Sequence, residues 1–179
     1  MLQKSSMWLT LEVFFLNPSK EHYLMDISRK IGIAHTSVKG YLRDFVGLGI
    51  VLERIDKKGK RKFPVYKANI NDKSFKMHKM EYNFSSILES GIVGFLREKL
   101  MPGAIVLFGS YRRGEDIEES DIDIFLECKK ENVNVERFEK KLGRKIQLHF
   151  QENFNAYPKE LKNNIINGIV LSGFLEGYK

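Results

Sequence analysis

The sequence has a single cysteine, four prolines and one tryptophan among 179 residues. One thiol cannot form an intramolecular disulfide, so a disulfide scaffold is excluded and Cys128 is expected to be a small buried hydrophobe. No apolar run approaches the roughly 20 residues of a membrane span. The first residues, MLQKSSMWLT, also lack the long apolar core of a secretory signal peptide. These absences predict a cytoplasmic protein with no membrane partner.

Positive charge is concentrated in the first half of the chain. Residues 1–80 contain 16 Lys and Arg against 7 Asp and Glu, a net charge of +9. Residues 81–179 contain 14 against 16, a net charge of −2. This asymmetry predicts two domains with different functions, 1–74 and 75–179, of which the first is suited to a polyanionic partner.

The first half predicts three helices followed by a β-hairpin. An apolar-rich segment from Ser6 predicts a helix that ends near Asn17, and residues 23–31 predict a short amphipathic helix that Gly32 terminates. Residues 35–48 predict a second amphipathic helix, since apolar side chains recur three and four positions apart. Strands at 50–55 and 63–67 then flank a cationic turn at 56–62.

This order resembles the winged helix-turn-helix family of DNA-binding domains over roughly residues 5 to 70. The stretch ISRKIGIAHTSVKGYLRDFVGLGIV is similar to the two central helices of its regulator-type members. The resemblance implies that the second helix of the pair faces the major groove and that the hairpin lysines lie along phosphates. The implied DNA-binding residues are His35, Thr36, Ser37, Lys39 and Arg43 in the helix, and Lys57, Lys58, Lys60, Arg61 and Lys62 in the hairpin.

Two other interpretations of the first half remain open. A basic turn is commonly only a solvated loop, and a helix pair of this kind can serve protein interaction or dimerisation. A homodimer is a further expectation, because many winged helices dimerise on palindromic sites. The helix carries no Arg or Asn at its N-terminal end, so no base preference can be predicted.

The second half is organised around Gly109 to Glu127, which reads GSYRRGEDIEESDIDIFLE. An apolar strand, 104–108, stops abruptly at Gly109 and Ser110. After a polar spacer, alternation with a period of two predicts a strand that turns Asp121 and Asp123 to one face. Two neighbouring carboxylates repel each other unless a cation neutralises them, so the pair indicates a divalent metal that holds a phosphate.

The remaining segments predict a small mixed sheet covered by helices. Residues 69–80 are polar and without a clear period, so they are interpreted as the connection between the domains. A long helix is expected from Asn83 to about Leu100, followed by the two strands of the motif, a charged helix near 135–142 and a strand at 144–150. The tail from Tyr157 to Gly177 is expected to be mostly helical.

A strand ending in Gly-Ser, a spacer and Ser-Asp-Ile-Asp resemble the polymerase-β-type nucleotidyltransferase superfamily, in particular its minimal branch. The resemblance covers about residues 80 to 179. It implies an α+β protein in which the winged helix-turn-helix domain precedes a small α/β nucleotidyltransferase domain with a mixed sheet. It also implies an NTP substrate, Mg²⁺ (or Mn²⁺), and transfer of NMP to a hydroxyl acceptor. The implied roles are metal binding and catalysis for Asp121 and Asp123, and nucleotide binding for Gly109, Ser110, Arg112 and Ser120.

Family members add a third carboxylate from a neighbouring strand, and that position falls here on Gln147. A Gln can offer a carbonyl oxygen to the metal, but it brings no negative charge and accepts no proton at neutral pH. His149, two residues on, faces the same way and is a poor Mg²⁺ ligand. Nucleotide binding is therefore expected to be better preserved than turnover.

Three classes of function follow. The first is an enzyme that modifies a small molecule, an RNA end or a protein hydroxyl. The resemblance also implies the possibility of a small helical partner of the toxin–antitoxin type. The second is a DNA-binding regulator whose degenerate nucleotidyltransferase domain senses nucleotide or mediates assembly. The third is a structural interaction protein that uses neither site. The NTP, the acceptor and the DNA sequence are not determined by the residues.

Overall fold

The computed structural model describes residues 5–58, 61–152, 154 and 157–176. The chain folds into two compact units, Met1–Tyr82 and Asn83–Lys179. The sequence-based boundary after residue 74 lies in the first turn of a helix that spans Lys73–Ser90 and runs from the first unit into the second.

The first unit contains three helices and a three-stranded sheet. The elements are α1 (Ser6–Leu16), β1 (Glu21–Tyr23), α2 (Leu24–Ile31), α3 (His35–Gly47), β2 (Val51–Lys58) and β3 (Arg61–Ala68). The strands pair antiparallel in the order β1-β3-β2. The helix pair and the hairpin lie where the sequence predicts them, whereas the short strand β1 was not foreseen.

The core of the first unit follows the helical spacing of its apolar residues. Val38, Leu42 and Phe45 of α3 are all buried, three and four positions apart. Gly32 ends α2 with a φ of +68°, a left-handed conformation that glycine adopts without strain. This turn sets α3 against α2, and the opposite side of α3 stays exposed.

The expected turn at 56–62 is wrong in extent. Asp56, Lys57 and Lys58 belong to β2, and Arg61 and Lys62 belong to β3. Both faces of this part of the hairpin are exposed, so polar and apolar residues do not alternate there. The sequence therefore gives no sign that the strands extend this far. Lys60 lies outside the described residues.

Residues 69–80 contain the start of a helix that the sequence does not predict, because α4 spans Lys73–Ser90. Asp72 accepts a hydrogen bond from the Phe75 amide at 2.8 Å, the arrangement of an N-cap. Buried positions recur at helical spacing along α4, but several carry polar side chains, which hid the period. These positions are Phe75, Lys79, Tyr82, Asn83, Ile87 and Ser90.

The single helix expected from Asn83 to Leu100 is interrupted. Gly91, with a φ of +83°, separates α4 from α5 (Ile92–Leu100). Ser90 stabilises the break, because its hydroxyl donates to the Ile87 carbonyl and accepts from the Ile92 amide. The apolar stripe of the two helices continues across the break, so periodicity did not reveal it.

The second unit is built on a four-stranded mixed sheet. After α5 come β4 (Ala104–Phe108), α6 (Gly109–Arg113), β5 (Ile122–Leu126), α7 (Glu136–Leu142), β6 (Ile146–Phe150), α8 (Lys159–Ile166) and β7 (Ile169–Gly173). The strand order is β6-β5-β4-β7; β4 is antiparallel to β5 and β7, and β5 is parallel to β6. The mixed sheet agrees with the sequence-based expectation.

Each face of this sheet has its own core. One cluster contains Ile122 and Ile124 with residues of α5 and α7, and the other contains Phe108 and Phe125 with Ile165 of α8. Because Asp121 and Asp123 share the parity of Phe125, they lie on the α8 face, beyond the apolar part of that core.

The prediction that the tail from Tyr157 to Gly177 is mostly helical is also wrong. Residues 169–173 form β7, which pairs with β4 as an edge strand.

Cys128 is half-buried, and burial together with Glu131 and Glu152 raises the pKa of its thiol. In the described part of the chain, no helix has the length and apolar character required to span a bilayer.

Candidate functional site

Gly109 lies at the junction of β4 and α6 and packs closely against Asp123. Its φ is +76°, and a Cβ at this position would overlap Asp123 Oδ2. Backbone conformation and available space therefore both require glycine here. The consequence is a bare backbone in contact with a carboxylate at the end of a buried strand.

Asp121 and Asp123 are turned away from the core that Ile122 and Ile124 enter. Asp121 directly precedes β5 and is exposed, whereas the Asp123 side chain is 24% exposed. Ile122 and Ile124 are fully buried. The alternation thus provides two carboxylates on one face, held by a rigid central strand.

Strand β6 brings two polar residues alongside Asp123. Gln147 is opposite Asp123 in the parallel register and is exposed. His149 Nε2 lies 3.0 Å from Asp123 Oδ1, and its ring packs edge-on against Phe108 with centroids 5.0 Å apart. The hydrogen bond between His149 and Asp123 was not predicted, since the sequence alone does not give the register of two parallel strands.

The segment expected to contact phosphate forms a helix of only five residues, α6. Ser110 is half-buried, and its carbonyl accepts from the Glu115 amide at 3.0 Å. Arg112 Nε is buried and has no hydrogen-bond partner among the described residues. Arg113 instead pairs with Glu115 at 2.8 Å. A buried guanidinium N–H without an acceptor fits a site that receives an anion.

Ser120 has a structural contact of its own. Its Oγ accepts a hydrogen bond from the Ile117 amide at 3.0 Å. This bond closes a turn directly before Asp121, while the hydroxyl proton stays available to an acceptor. Ser120 therefore shapes the approach to the carboxylates.

A buried polar network behind the site was missed by the sequence analysis. Asn83 Nδ2 donates to the Tyr111 carbonyl at 2.7 Å and to Asp116 Oδ1 at 2.8 Å. Arg144 Nη2 lies 3.7 Å from Asp116 Oδ2, and Nη1 donates to the Glu118 carbonyl at 2.5 Å. Asn83, Asp116 and Arg144 lie far apart in the sequence, so the sequence alone does not indicate that they form a network.

A cavity of about 610 Å³ opens beside Asp121. Its lining includes Ser120 and Asp121 on one side and Glu136, Arg144 and Lys145 on the other. The cavity is lined mostly by charged residues and lies between the loop that leads into β5 and helix α7. It provides room for a substrate group next to Asp121.

The donor set suits a metal that is held partly by its substrate. In the ranges that the structure describes, no cluster of three or more His, Cys, Asp or Glu side chains could enclose a metal ion. Mg²⁺ is ordinarily bound through one or two carboxylates plus substrate phosphates. The carboxylates of Asp121 and Asp123 and the side-chain amide oxygen of Gln147 fit that mode of binding.

The residues considered for DNA contact lie on one exposed side of α3 and on the hairpin. His35, Thr36, Ser37, Lys39 and Arg43 are all exposed, as are Lys57, Arg61 and Lys62. In the hairpin register, Lys57 is opposite Lys62 and Lys58 is opposite Arg61. Like charges opposite each other in a hairpin are destabilising when nothing neutralises them.

A groove of about 540 Å³ runs between α3 and the hairpin of the first unit. Thr36, Lys39 and Arg43 line one side, and Glu53 and Tyr66 line the other. Burial and a hydrogen bond to Glu53 raise the pKa of Tyr66 to about 12, so its hydroxyl stays protonated at neutral pH. The groove therefore presents basic residues on the helix side and a fixed polar pair on the sheet side.

Comparisons with known proteins agree with the geometry of the second unit. A sequence profile described as "Nucleotidyltransferase domain" matches residues 89–171, a range that contains Gly109, Asp121 and Asp123. A protein of Methanocaldococcus jannaschii named "Putative protein adenylyltransferase" is 40% identical over 36% of this chain and 74% of its own length.

A solved structure, "Possible transcriptional regulator from Methanosarcina mazei Go1", covers 54% of this chain and 79% of its own, with 12% identity and a TM-score of 0.38. Similarity at that level identifies neither a fold nor a function. The archaeal relative and the matched profile do identify the second unit, and nucleotidyltransferase domains generally use divalent metal ions. The chain therefore belongs to the nucleotidyltransferase domain family.

Proposed function

We propose that the second unit binds an NTP together with Mg²⁺ or Mn²⁺ and transfers the nucleotidyl group to a hydroxyl acceptor. The observation that carries this proposal is the contact between the bare backbone of Gly109 and the carboxylate of Asp123. It juxtaposes a backbone that phosphate can approach closely and the carboxylates that hold a cation.

The binding roles follow from the side chains present. Asp121 and Asp123 hold the cation, with the Gln147 carbonyl oxygen as a neutral ligand. A divalent ion bound there would neutralise phosphate charge and polarise the α-phosphate. Ser110 and the Nε–H of Arg112, which has no acceptor in the part of the chain that the structure describes, supply donors for the phosphate oxygens.

The reaction is an in-line displacement. The acceptor oxygen attacks the α-phosphorus, the bond from that phosphorus to the bridging oxygen of the β-phosphate breaks, and pyrophosphate leaves. The hydroxyl proton must pass to a base, and Gln147 cannot accept it at neutral pH. The proton goes to solvent or to a phosphate oxygen, which makes transfer slow relative to binding.

The name of the archaeal relative supports ATP as the nucleotide and a protein hydroxyl as the acceptor. A small helical protein of the toxin–antitoxin type is one such acceptor that we propose. The cavity beside Asp121 is open and lined mostly by charged residues, which suits a side chain presented by another protein.

Incubation of the full chain with ATP labelled at the α-phosphate tests the enzymatic proposal. With Mg²⁺ or Mn²⁺ we expect label to become covalently attached to an acceptor protein, and with γ-labelled ATP we expect none. Covalent label from γ-labelled ATP would indicate phosphoryl transfer and would contradict the proposal.

A second candidate function is a DNA-binding regulator whose second unit senses nucleotide without turnover. The observation that favours it is the neutral Gln147 opposite Asp123. In this reading the first unit is a winged helix that binds DNA, and nucleotide bound to the second unit regulates it. A homodimer on a palindromic site belongs to the same proposal.

The charge pattern of the hairpin supports DNA binding. Arg54 forms an ion pair with Glu21 at 2.6 Å and lies 3.8 Å from Asp56, so acidic side chains of the same sheet already balance its charge. The cations nearer the hairpin end face one another in like-charged pairs. Phosphates along this strand pair would relieve that repulsion, which is a physical reason for the hairpin to prefer a polyanion.

Replacing Lys57 and Lys62 by Gln is expected to have opposite effects on stability and on DNA binding. Removing the opposed pair should stabilise the free protein by about 0.2–1 kcal/mol. The same change should weaken DNA binding and lower the salt dependence of the affinity by about two phosphate contacts. Fluorescence anisotropy at several salt concentrations, with thermal melts, measures both.

Lys99→Gln is the matched control, since it removes an exposed cation from α5 of the other unit. It should leave the salt dependence unchanged. Equal effects of Lys99→Gln and the hairpin double variant on DNA affinity would contradict a specific role for the hairpin.

A further inference from the structure

The loop that joins α6 to β5, residues 114–121, connects the two parts of the candidate site. At one end it follows the helix that begins with Gly109 and Ser110, and at the other it leads into Asp121. The path of this loop therefore sets where Asp121 stands relative to the phosphate-facing backbone. The site therefore requires this loop to be held in one conformation.

The first half of the loop is hydrogen-bonded to α4 through Asn83 and Asp116. Asp116 is 2% exposed and Asn83 is 1% exposed. The Asn83 amide uses its two protons to link the Tyr111 carbonyl of α6 with Asp116 Oδ1 of the loop. One buried side chain thus fastens the end of α6 and the loop to the same helix.

The second half of the loop is held by the residue that leads into β6. Arg144 has a side chain only 9% exposed and reaches both Asp116 and the Glu118 carbonyl. Next to it, the Lys145 carbonyl accepts from the Ile122 amide at 2.8 Å. The loop is thereby tied to the strand that carries Gln147 and His149.

A buried Arg–Asp pair generally adds little to the free energy of unfolding. Removing two charges from water costs about as much as their attraction returns, and apolar pairs of similar volume are commonly as stable or more stable. Hydrogen bonds from a planar guanidinium do, however, fix directions that apolar packing does not. The network is therefore better explained by the geometry that it imposes.

We infer that Asp116 and Arg144 are positioning residues, which hold Asp121 at the separation from Gly109 and Ser110 that metal-bound nucleotide requires. The inference rests on the proposed nucleotide-binding function of the second unit. It predicts that their loss impairs metal-dependent binding and transfer even where the fold is intact.

The decisive variant replaces the pair by apolar residues, Asp116→Leu with Arg144→Met. The melting temperature is expected to stay near that of the wild type. No charge is left buried without a partner, although one amide proton of Asn83 loses its acceptor. The Mg²⁺ concentration that half-saturates ATP binding should rise about 10–100-fold, the usual cost of removing groups that orient metal ligands. Wild-type values of that Mg²⁺ concentration and of AMP transfer in the double variant would overturn the inference.

Two further variants keep the test decisive. Arg144→Lys retains the charge and the fold but cannot reach Asp116 and the Glu118 carbonyl in the same way, so it should shift Mg²⁺ dependence in the same direction. Arg113→Gln with Glu115→Gln removes an exposed ion pair at the junction of α6 and this loop, and it should change nothing. If Arg144→Lys behaves as the wild type, or the exposed pair matters as much, the inference is wrong.

Failure of the proposed function has a different signature. In that case the wild type itself shows no Mg²⁺-dependent ATP binding, and the inference falls with it. If the wild type binds and every network variant binds equally, only the positioning role is refuted.

Discussion

Asp123→Asn is expected to lower nucleotidyl transfer by about 10²–10³-fold, the scale measured when an enzyme loses one group that stabilises charge in the transition state. Asparagine keeps the size of the side chain and can still hydrogen-bond His149, so the fold should be retained. The loss should be accompanied by weaker Mg²⁺-dependent ATP binding, because one of two carboxylate ligands has become neutral. Label transfer from ATP and calorimetric titration measure the two effects.

Glu98→Gln is the matched control for that change of charge, because Glu98 is an exposed acid on α5 of the same unit. It should leave binding and transfer at wild-type values. An Asp123→Asn variant that transfers AMP at the wild-type rate would remove Asp123 from the reaction.

Gly109→Ala is expected to reduce both stability and nucleotide binding. A non-glycine residue in the left-handed region costs roughly 1–2 kcal/mol. In addition, the new Cβ would overlap Asp123 Oδ2, so the carboxylate must move from its position. We therefore expect at least a tenfold loss of Mg²⁺-dependent ATP affinity together with a lower melting temperature.

Gly91→Ala separates the two causes. Gly91 has a φ of +83°, and a Cβ there would meet no atom within 4 Å. This variant should show the backbone cost alone, with unchanged ATP affinity. Equal loss of ATP affinity in both variants would mean that instability, rather than displacement of Asp123, explains the effect at Gly109.

The local chemistry of the candidate site could be read from the sequence because it depends on neighbouring residues. Alternation of Asp121, Ile122, Asp123 and Ile124 fixes which side chains share a face, whatever the rest of the sheet does. Likewise, a glycine at the end of an apolar strand indicates a close approach of backbone and ligand. The contact of Gly109 with Asp123 gives that glycine its physical reason.

Other elements were hidden because packing outweighed the local pattern. The buried stripe of α4 includes Lys79 and Asn83, so a search for apolar periodicity failed there. Residues 169–173 were read as helix, although strand β7 is stabilised by pairing with β4, far away in the sequence. Both errors come from interactions that a window of neighbouring residues does not contain.

The network of Asn83, Asp116 and Arg144 shows the same limit most clearly. The three residues come from α4, the loop before β5 and the turn before β6, and each alone is an ordinary polar residue. Only the fold brings them together. The hydrogen bond between His149 and Asp123 depends in the same way on the parallel register of β5 and β6.

Calorimetric titration of the full chain with ATP, with Mg²⁺ and then with a chelator in its place, tests the central claim most directly. We expect one ATP to bind when the divalent ion is present, and binding to weaken strongly when the ion is removed. Absence of ATP binding in the presence of Mg²⁺ or Mn²⁺, or an affinity that the chelator leaves unchanged, would contradict a metal-dependent nucleotide site at Asp121 and Asp123.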